Sequence, residues 1–263
     1  MDLGLAGKSV IVTGGGSNIG RGISLAFAKE GVNLVIAELV EEDGKRVAEE
    51  AKAAGAAKVI MAKTDVTSME SVQAMAKKAK DEFGRIDVLV NNVGWDDLMY
   101  FVDSTPEFWD KIININYRSV LNTCKTVAPL MIEQGSGAIV NIGSDAGRIG
   151  EFKEGVYAGT KGAIIAFSKT LAREVGPKGI RVNVVCPGMT LPRLEDVPEG
   201  SRWHQQLTQV YTPELQEKIA KGYPLRKIGH SDDIGNAVAF LASERAGHVT
   251  GQTLSVSGGY TMM

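Results

Sequence analysis

Short apolar, β-branched runs alternate with longer helix-period segments along this whole chain, and that alternation admits few folds. Residues 8–13 (Lys-Ser-Val-Ile-Val-Thr) stop at three glycines, after which Ile23, Ala26 and Phe27 recur at helical spacing over 19–29. Strand patterns follow at 33–37, 58–62 and 86–90, separated by helices from residue 42 and residue 68. Later come a helix over 107–134, a strand over 138–142, a helix over 156–175, a strand over 181–185, a helix over 232–242 and a last strand over 253–256. Apolar strands alternating with helices predict a parallel α/β sheet covered on both faces, joined by right-handed crossovers. The 263 residues suit a single doubly wound domain. One segment breaks the rhythm: residues 190–229 carry Pro192, Pro198, Pro213 and Pro224 among charges and helical fragments. An insertion of that length in a compact domain reads as a lid or binding loop.

A formal net charge of -2 gives no electrostatic reason to hold nucleic acid, so no such partner is expected. The start, Met1-Asp2-Leu3-Gly4, is acidic, and no apolar run approaches the ~18 residues of a membrane span; a cytoplasmic protein without a membrane partner is predicted. Cys124 and Cys186 lie in apolar contexts without CxxC spacing, and read as buried thiols. His204, His230 and His248 are scattered, so no metal site is predicted.

In open parallel sheets ligands bind beyond the carboxyl ends of the strands. After the first strand stands Thr13-Gly14-Gly15-Gly16-Ser17-Asn18-Ile19-Gly20, where absent side chains let backbone N–H groups approach a pyrophosphate at a helix N-terminus. The strict GxGxxG spacing is not met, since a Gly14 start puts Ile19 in the last place. At the end of the second strand Glu38 stands eighteen residues beyond Gly20, suited to bond ribose hydroxyls and repel a 2′-phosphate; this favours NAD over NADP. Arg21 has no assigned role. Tyr157 and Lys161 stand one helical turn apart on one face, and a nearby ammonium would favour phenolate, so Tyr157 is a candidate base for an alcohol proton.

The Gly-rich turn, Asn91-Asn92-Val93-Gly94, Ser144 thirteen residues before Tyr157-x3-Lys161, and Pro187-Gly188 together resemble the short-chain dehydrogenase/reductase family, from about Leu5 to the terminal Val256-Ser257-Gly258-Gly259. The resemblance implies a Rossmann-like domain with a seven-stranded parallel sheet, assembled as a homotetramer. It further implies that Asp65 and Val66 contact adenine, that Asn91, Asn92 and Gly94 line the cofactor cleft, and that Pro187, Gly188 and Thr190 support the nicotinamide. Ser144 would orient the substrate oxygen, Lys161 would hold the nicotinamide ribose, and Asn116, rather than Asn114, would support a proton path to the lysine. The chain departs from the family pattern at Asn18, where a glycine is usual. Asn enters the left-handed region more readily than most residues, so the fold should tolerate it.

For substrate, the candidates are Trp95, Asp96, Asp145, Arg148 and Phe152, with Arg193, Arg202, Trp203, His204 and Tyr211 in the insertion. Gly-Trp-Asp after the fourth strand, Ser-Asp-Ala-Gly-Arg and the C-terminal run are similar to 2-hydroxycyclohexanecarboxyl-CoA dehydrogenases and related hydroxyacyl-CoA enzymes of aromatic-ring degradation. That resemblance implies a cyclic or aromatic hydroxyacyl-CoA as substrate. The insertion holds six Lys/Arg against five Asp/Glu, little preference for a CoA tail. Trp203 and Tyr211 either stack on a ligand ring or pack the insertion onto the body. Two other readings stay open, a dehydrogenase of free cyclic alcohols, sugars or steroids, and a non-catalytic NAD-binding subunit.

Overall fold

The computed structural model describes residues 2–263. Seven strands, β1 (Ser9–Thr13), β2 (Asn33–Glu38), β3 (Lys58–Lys63), β4 (Val88–Asn91), β5 (Gly137–Ile142), β6 (Ile180–Pro187) and β7 (Thr253–Val256), form one parallel sheet in the order β3-β2-β1-β4-β5-β6-β7. The order reverses at β1, which pairs with β2 on one side and β4 on the other, with Val12 opposite both Ile36 and Val90. A doubly wound sheet opens its binding crevice at this switch point.

Side-chain alternation in the strands sorts the helices onto two faces. Val10, Val12, Leu34 and Ile36 pack under α1 (Asn18–Lys29), α2 (Glu41–Ala53) and α10 (Ser231–Ala242). Ile11, Val35, Leu89, Ile139 and Val182 point the other way, under α3 (Met69–Phe83), α5 (Ser119–Gln134) and α7 (Gly155–Val175). The remaining helices are short: α4 (Pro106–Ile113), α6 (Ala146–Ile149), α8 (Arg202–Gln209) and α9 (Pro213–Ala220). Each fully buried Val, Ile or Leu contributes about 1.5–3 kcal/mol, so both faces are needed to hold the sheet.

Two expected elements have different bounds. The helix predicted over 107–134 is divided, because a π-turn at Asn114–Arg118 separates α4 from α5. Such turns concentrate at functional sites, and this one carries Asn116. The fourth strand starts at Val88 rather than at residue 86, because the Gln134 side chain takes both backbone groups of Ile86, at 3.0 Å and 2.8 Å.

The insertion after β6, expected as a lid or binding loop, is folded with its own small core. Leu191, Leu207 and Ile228 are buried against Trp203, Tyr211 and Ile219. A parallel bridge between Thr190 and Gly229 closes its base. Ion pairs Arg21–Asp196 (3.0 Å) and Arg193–Asp232 (2.8 Å) fasten it to α1 and α10.

Helices α1 and α10 cross nearly backbone to backbone at Gly22 and Gly235. A Cβ at Gly22 would lie 2.5 Å from Ser231 Cβ and 2.6 Å from its carbonyl carbon. Gly22→Ala should therefore destabilise the fold by about 1–3 kcal/mol, read as a lower thermal midpoint; an unchanged midpoint would show that α10 slides freely on α1.

Candidate active site

The cofactor end is built where β1, β2 and β4 finish. Thr13 closes β1, its hydroxyl donating to Val90 O (3.2 Å) and accepting from Asn92 N (3.0 Å). Asn92 Nδ2 then donates to Thr13 O and Gly14 O, both at 3.1 Å. The Asn92 Nδ2 group is thus engaged by the glycine turn and shapes the cradle. Gly20 sits so close that a Cβ would lie 1.8 Å from Gly14 O. Only glycine lets α1 start there.

Helix α1 begins at Ser17 with no side-chain cap and no acidic residue in its first turn, leaving its N-terminal N–H groups for an anion. Asn18 has φ +38°, the left-handed conformation its residue type predicts, and its Oδ1 is enclosed without a partner. Ile19 packs beside the sheet-face core. A glycine cradle and an uncapped helix start, both presenting backbone N–H donors, fit a dinucleotide pyrophosphate. Glu38 stands at the rim, its carboxylate accepting from Gly16 N (3.0 Å), Leu39 N (2.8 Å) and Val40 N (3.2 Å).

Arg21 and Arg46 both lie near this rim and both are neutralised. Arg21 pairs with Glu50 (2.6 Å) and Asp196, and Arg46 pairs with Glu50 (2.8 Å) while donating to Gly16 O (2.9 Å). Arg21 carries no role in its local pattern, since Glu50 and Asp196 lie far along the chain, and Arg46 was not anticipated. Farther along the crevice, exposed Asp65 closes a local turn onto Thr67 (2.9 Å), and Val66 is buried, its carbonyl held by Asn122 (3.1 Å). Asn91 faces inward to Asn141 (2.8 Å) and Thr123 (2.6 Å), a core bond rather than a cleft position. Pro187 ends β6, Gly188 N donates to Val256 O (3.3 Å), and Thr190 turns its hydroxyl onto Gly188 O (3.1 Å).

The reacting end gathers Ser144, Tyr157, Lys161 and Asn116 from three stretches of chain. Tyr157 and Lys161 occupy successive turns of α7, with Lys161 Nζ 5.5 Å from the phenol ring centre. That ammonium is buried and donates to Ile142 O at 2.9 Å. Asn116 is fully buried: it donates to Trp95 O (2.7 Å) and Ile112 O (3.0 Å), and its Oδ1 accepts from Trp95 N (3.1 Å). Gly94 leaves a gap between the two. A Cβ built there would lie 3.1 Å from Asn116 Oδ1 and 3.3 Å from Lys161 Nζ.

The electrostatics correct one expectation. The lysine was expected to draw Tyr157 towards phenolate, whereas the phenol is pushed well above its ordinary value. Burial is the main cause, followed by the negative charge of Glu154, and only the Ser144 hydroxyl pulls it back. Burial also lowers Lys161 to about 8, so it stays largely an ammonium near neutrality, and its charge does not outweigh the burial of the phenol. Tyr157 therefore rests as a neutral phenol, a proton donor.

Of the substrate candidates, Trp95 lies beside the site with Lys111 Nζ 3.7 Å over its ring, and exposed Phe152 stands on the rim edge-on to Tyr100 (5.3 Å). Asp145 does not face the pocket. It is buried, accepts from Ser255 Oγ (2.7 Å) and neighbours Arg148 (3.6 Å). Trp203 and Tyr211 pack the insertion's core. Asp96 and Tyr157 share a cavity with Met99, Phe108 and Glu154. Glu154 was not anticipated; its position one turn before Tyr157 was the available signal.

Fold and site together define an oxidoreductase acting on a CH–OH group. Residues 14–261 match the family described as enoyl-(acyl carrier protein) reductase. The chain is 38% identical to a 3-oxoacyl-[acyl-carrier-protein] reductase of Chlamydia muridarum, over 97% of this chain and 98% of that one. It is 34% identical to the enzyme of that name from Thermotoga maritima, over 97% and 98%. A solved 7α-hydroxysteroid dehydrogenase, complexed with NADH and 7-oxo glycochenodeoxycholic acid, superposes with a TM-score of 0.87 at 31% identity, covering 98% of this chain and 96% of that one. The chain belongs to the short-chain dehydrogenase/reductase family, whose members bind a nicotinamide cofactor. Among the described residues no helix is long and apolar enough to cross a membrane.

Tyr157→Phe should leave cofactor binding within about threefold while cutting turnover by about 10²–10⁴, the range for losing a general acid–base group. Parallel titration of reduced-cofactor fluorescence and steady-state kinetics checks this; near-normal turnover would remove Tyr157 from the proton transfer.

Proposed function

We propose that this chain interconverts a ketone and a secondary alcohol on a hydroxyacyl thioester, with NAD(H) as cofactor and reduction as the favoured direction near neutral pH. The observation that carries the reading is the protonated Tyr157, held by the Ser144 hydroxyl and one helical turn from the buried Lys161. When bound, the nicotinamide supplies or takes up the hydride at the carbon. Tyr157 Oη gives its proton to the carbonyl oxygen, and Ser144 Oγ donates a hydrogen bond to the same atom, stabilising its developing charge. Asn116 Oδ1 and Lys161 Nζ both pack against Gly94, and the lysine would return a proton to Tyr157. Gly14, Ser17, Asn18, Ile19 and Gly20 would hold the pyrophosphate, Asp65 and Val66 the adenine, and Pro187, Gly188 and Thr190 the nicotinamide amide.

Glu38 at the rim and the pairing of both nearby arginines support NAD, because a 2′-phosphate would meet a carboxylate and find no uncompensated guanidinium. The names of the 3-oxoacyl relatives support a thioester substrate. The cyclic or aromatic acyl group rests on the sequence resemblance alone. A second reading, a free cyclic alcohol or steroid, is favoured by the likeness to the hydroxysteroid dehydrogenase.

Glu38→Ala should narrow the NAD over NADP preference by about tenfold, one lost like-charge penalty of roughly 1.4 kcal/mol. Unchanged discrimination would take Glu38 out of cofactor choice. For the substrate, NADH consumption is followed with a 2-oxocycloalkane-carboxyl-CoA, with a straight-chain 3-oxoacyl-CoA and with a cyclic or steroid ketone. Thioester turnover supports the proposal. Turnover of the free ketones alone supports the second reading, and silence from all three, with NADH bound, supports a non-catalytic subunit.

A further inference from the structure

The reacting pocket is lined by two carboxylates that the proton transfer does not use. Asp96 leaves β4 five residues after the strand ends, and Glu154 is the residue from which α7 starts. Both line the cavity that holds Tyr157. Asp96 Oδ2 is enclosed and has no hydrogen-bond partner, although an unpaired buried carboxylate oxygen is costly unless something in the working complex meets it. Two cations are near, Lys161 and Lys153, the second lining the same cavity, and neither forms an ion pair with Asp96 or Glu154 among the described residues. Lys161 is committed to Ile142 O, and the Lys153 ammonium stands over the rings of Tyr100 (4.7 Å) and Phe152 (5.8 Å).

We propose that Asp96 and Glu154 form a charge filter: they reject substrates bearing a free carboxylate beside the reacting carbon and admit the same skeleton as a neutral ester or thioester. This inference rests on the hydroxyacyl reading above. In a 3-hydroxy acid the carboxyl carbon is two bonds from the carbinol carbon, so seating the carbinol oxygen at Tyr157 brings the carboxylate into the cavity with both acids. Like charges there repel strongly, because the site is poorly solvated. A thioester has no such charge, and its carrier extends towards the apolar rim of Tyr100, Phe101 and Phe152, all exposed. The pair thus explains how the enzyme would keep to carrier-bound substrate without a basic patch for the carrier.

The filter titrates. Burial, then the neighbouring Asp97, raise Asp96 to about 6, with Asp97 N–H and Lys161 opposing; burial, then Asp96 and Glu151, raise Glu154 to about 7. Tyr157 and Tyr260 also face these charges, and both phenols stay protonated across this range. Between about pH 8 and about pH 6 the two acids take up protons while a substrate carboxylate, with a pKa near ~4–5, stays ionised. Repulsion should fall in that window.

The test compares kcat/KM for 2-hydroxycyclohexanecarboxylate, its methyl ester and its CoA thioester. For the wild type, the ester-to-acid ratio should be about thirtyfold or more at about pH 8 and fall by about fivefold at about pH 6. In the double variant Asp96→Asn, Glu154→Gln the ratio should drop by at least about tenfold and lose its pH dependence, while Asp96→Glu restores it. The wild-type pH series needs no variant, so it decides even where a variant does not fold. Acid and ester turned over equally at both pH values overturn the filter and leave the functional reading standing. No turnover of any of the three, with NADH binding intact, overturns that reading and the filter with it.

Discussion

Everything at the cofactor end hangs on one set of hydrogen bonds at the sheet's switch point. Thr13 Oγ1 joins β1 to β4, and Asn92 clamps the first turn of the glycine loop through two backbone carbonyls. Parallel strands leave their carboxyl ends side by side, so a crevice exists wherever the order reverses. A crevice alone has no shape. The Asn92 amide fixes where the loop lies, Gly20 lets α1 start against it, and the helix N-terminus then aims its unpaired N–H groups into the gap. The family's chemistry follows from that stiffness, because a dinucleotide held at its pyrophosphate presents its nicotinamide at one fixed distance down the crevice.

At the other end the fold sets the acid–base character by excluding water more than by placing charge. Lys161 stands 5.5 Å from the Tyr157 ring centre, yet its own burial lowers it and its ammonium is turned to Ile142 O. Glu154 and Asp96 lie on the phenol's other side and push it up. A phenol in this setting gives up its proton only to a base formed during the reaction, an oxyanion at the carbonyl. The same carboxylates that keep Tyr157 protonated would screen what enters beside it, so proton supply and substrate charge are coupled through one pair of groups.

Much of this was legible in the chain. The alternating strand and helix periods gave the element order, and the resemblance gave the seven-stranded sheet. Tyr157 and Lys161 are legible as a pair because four residues make one helical turn. What escaped was set by contacts across the sequence. The π-turn that divides 107–134 exists because Asn116 is drawn inward to Trp95, and no periodicity signals it. Asp145 looked like a pocket residue from its place after Ser144, but Ser255, more than a hundred residues away, claims it.

The sequence by itself therefore determined the order of strands and helices, the glycine turn and the pairing of Tyr157 with Lys161 on one helix face, since each rests on spacing within one strand, turn or helix. The tertiary structure alone decided which charges are free. Arg21 is silenced by Glu50 and Asp196, Asn92 by the glycine loop, Lys161 by Ile142, and Asp96 is left enclosed without a partner. The reason is physical: a side chain's charge and hydrogen-bonding capacity depend on its desolvation and on its neighbours in space, and those are fixed only when distant segments pack.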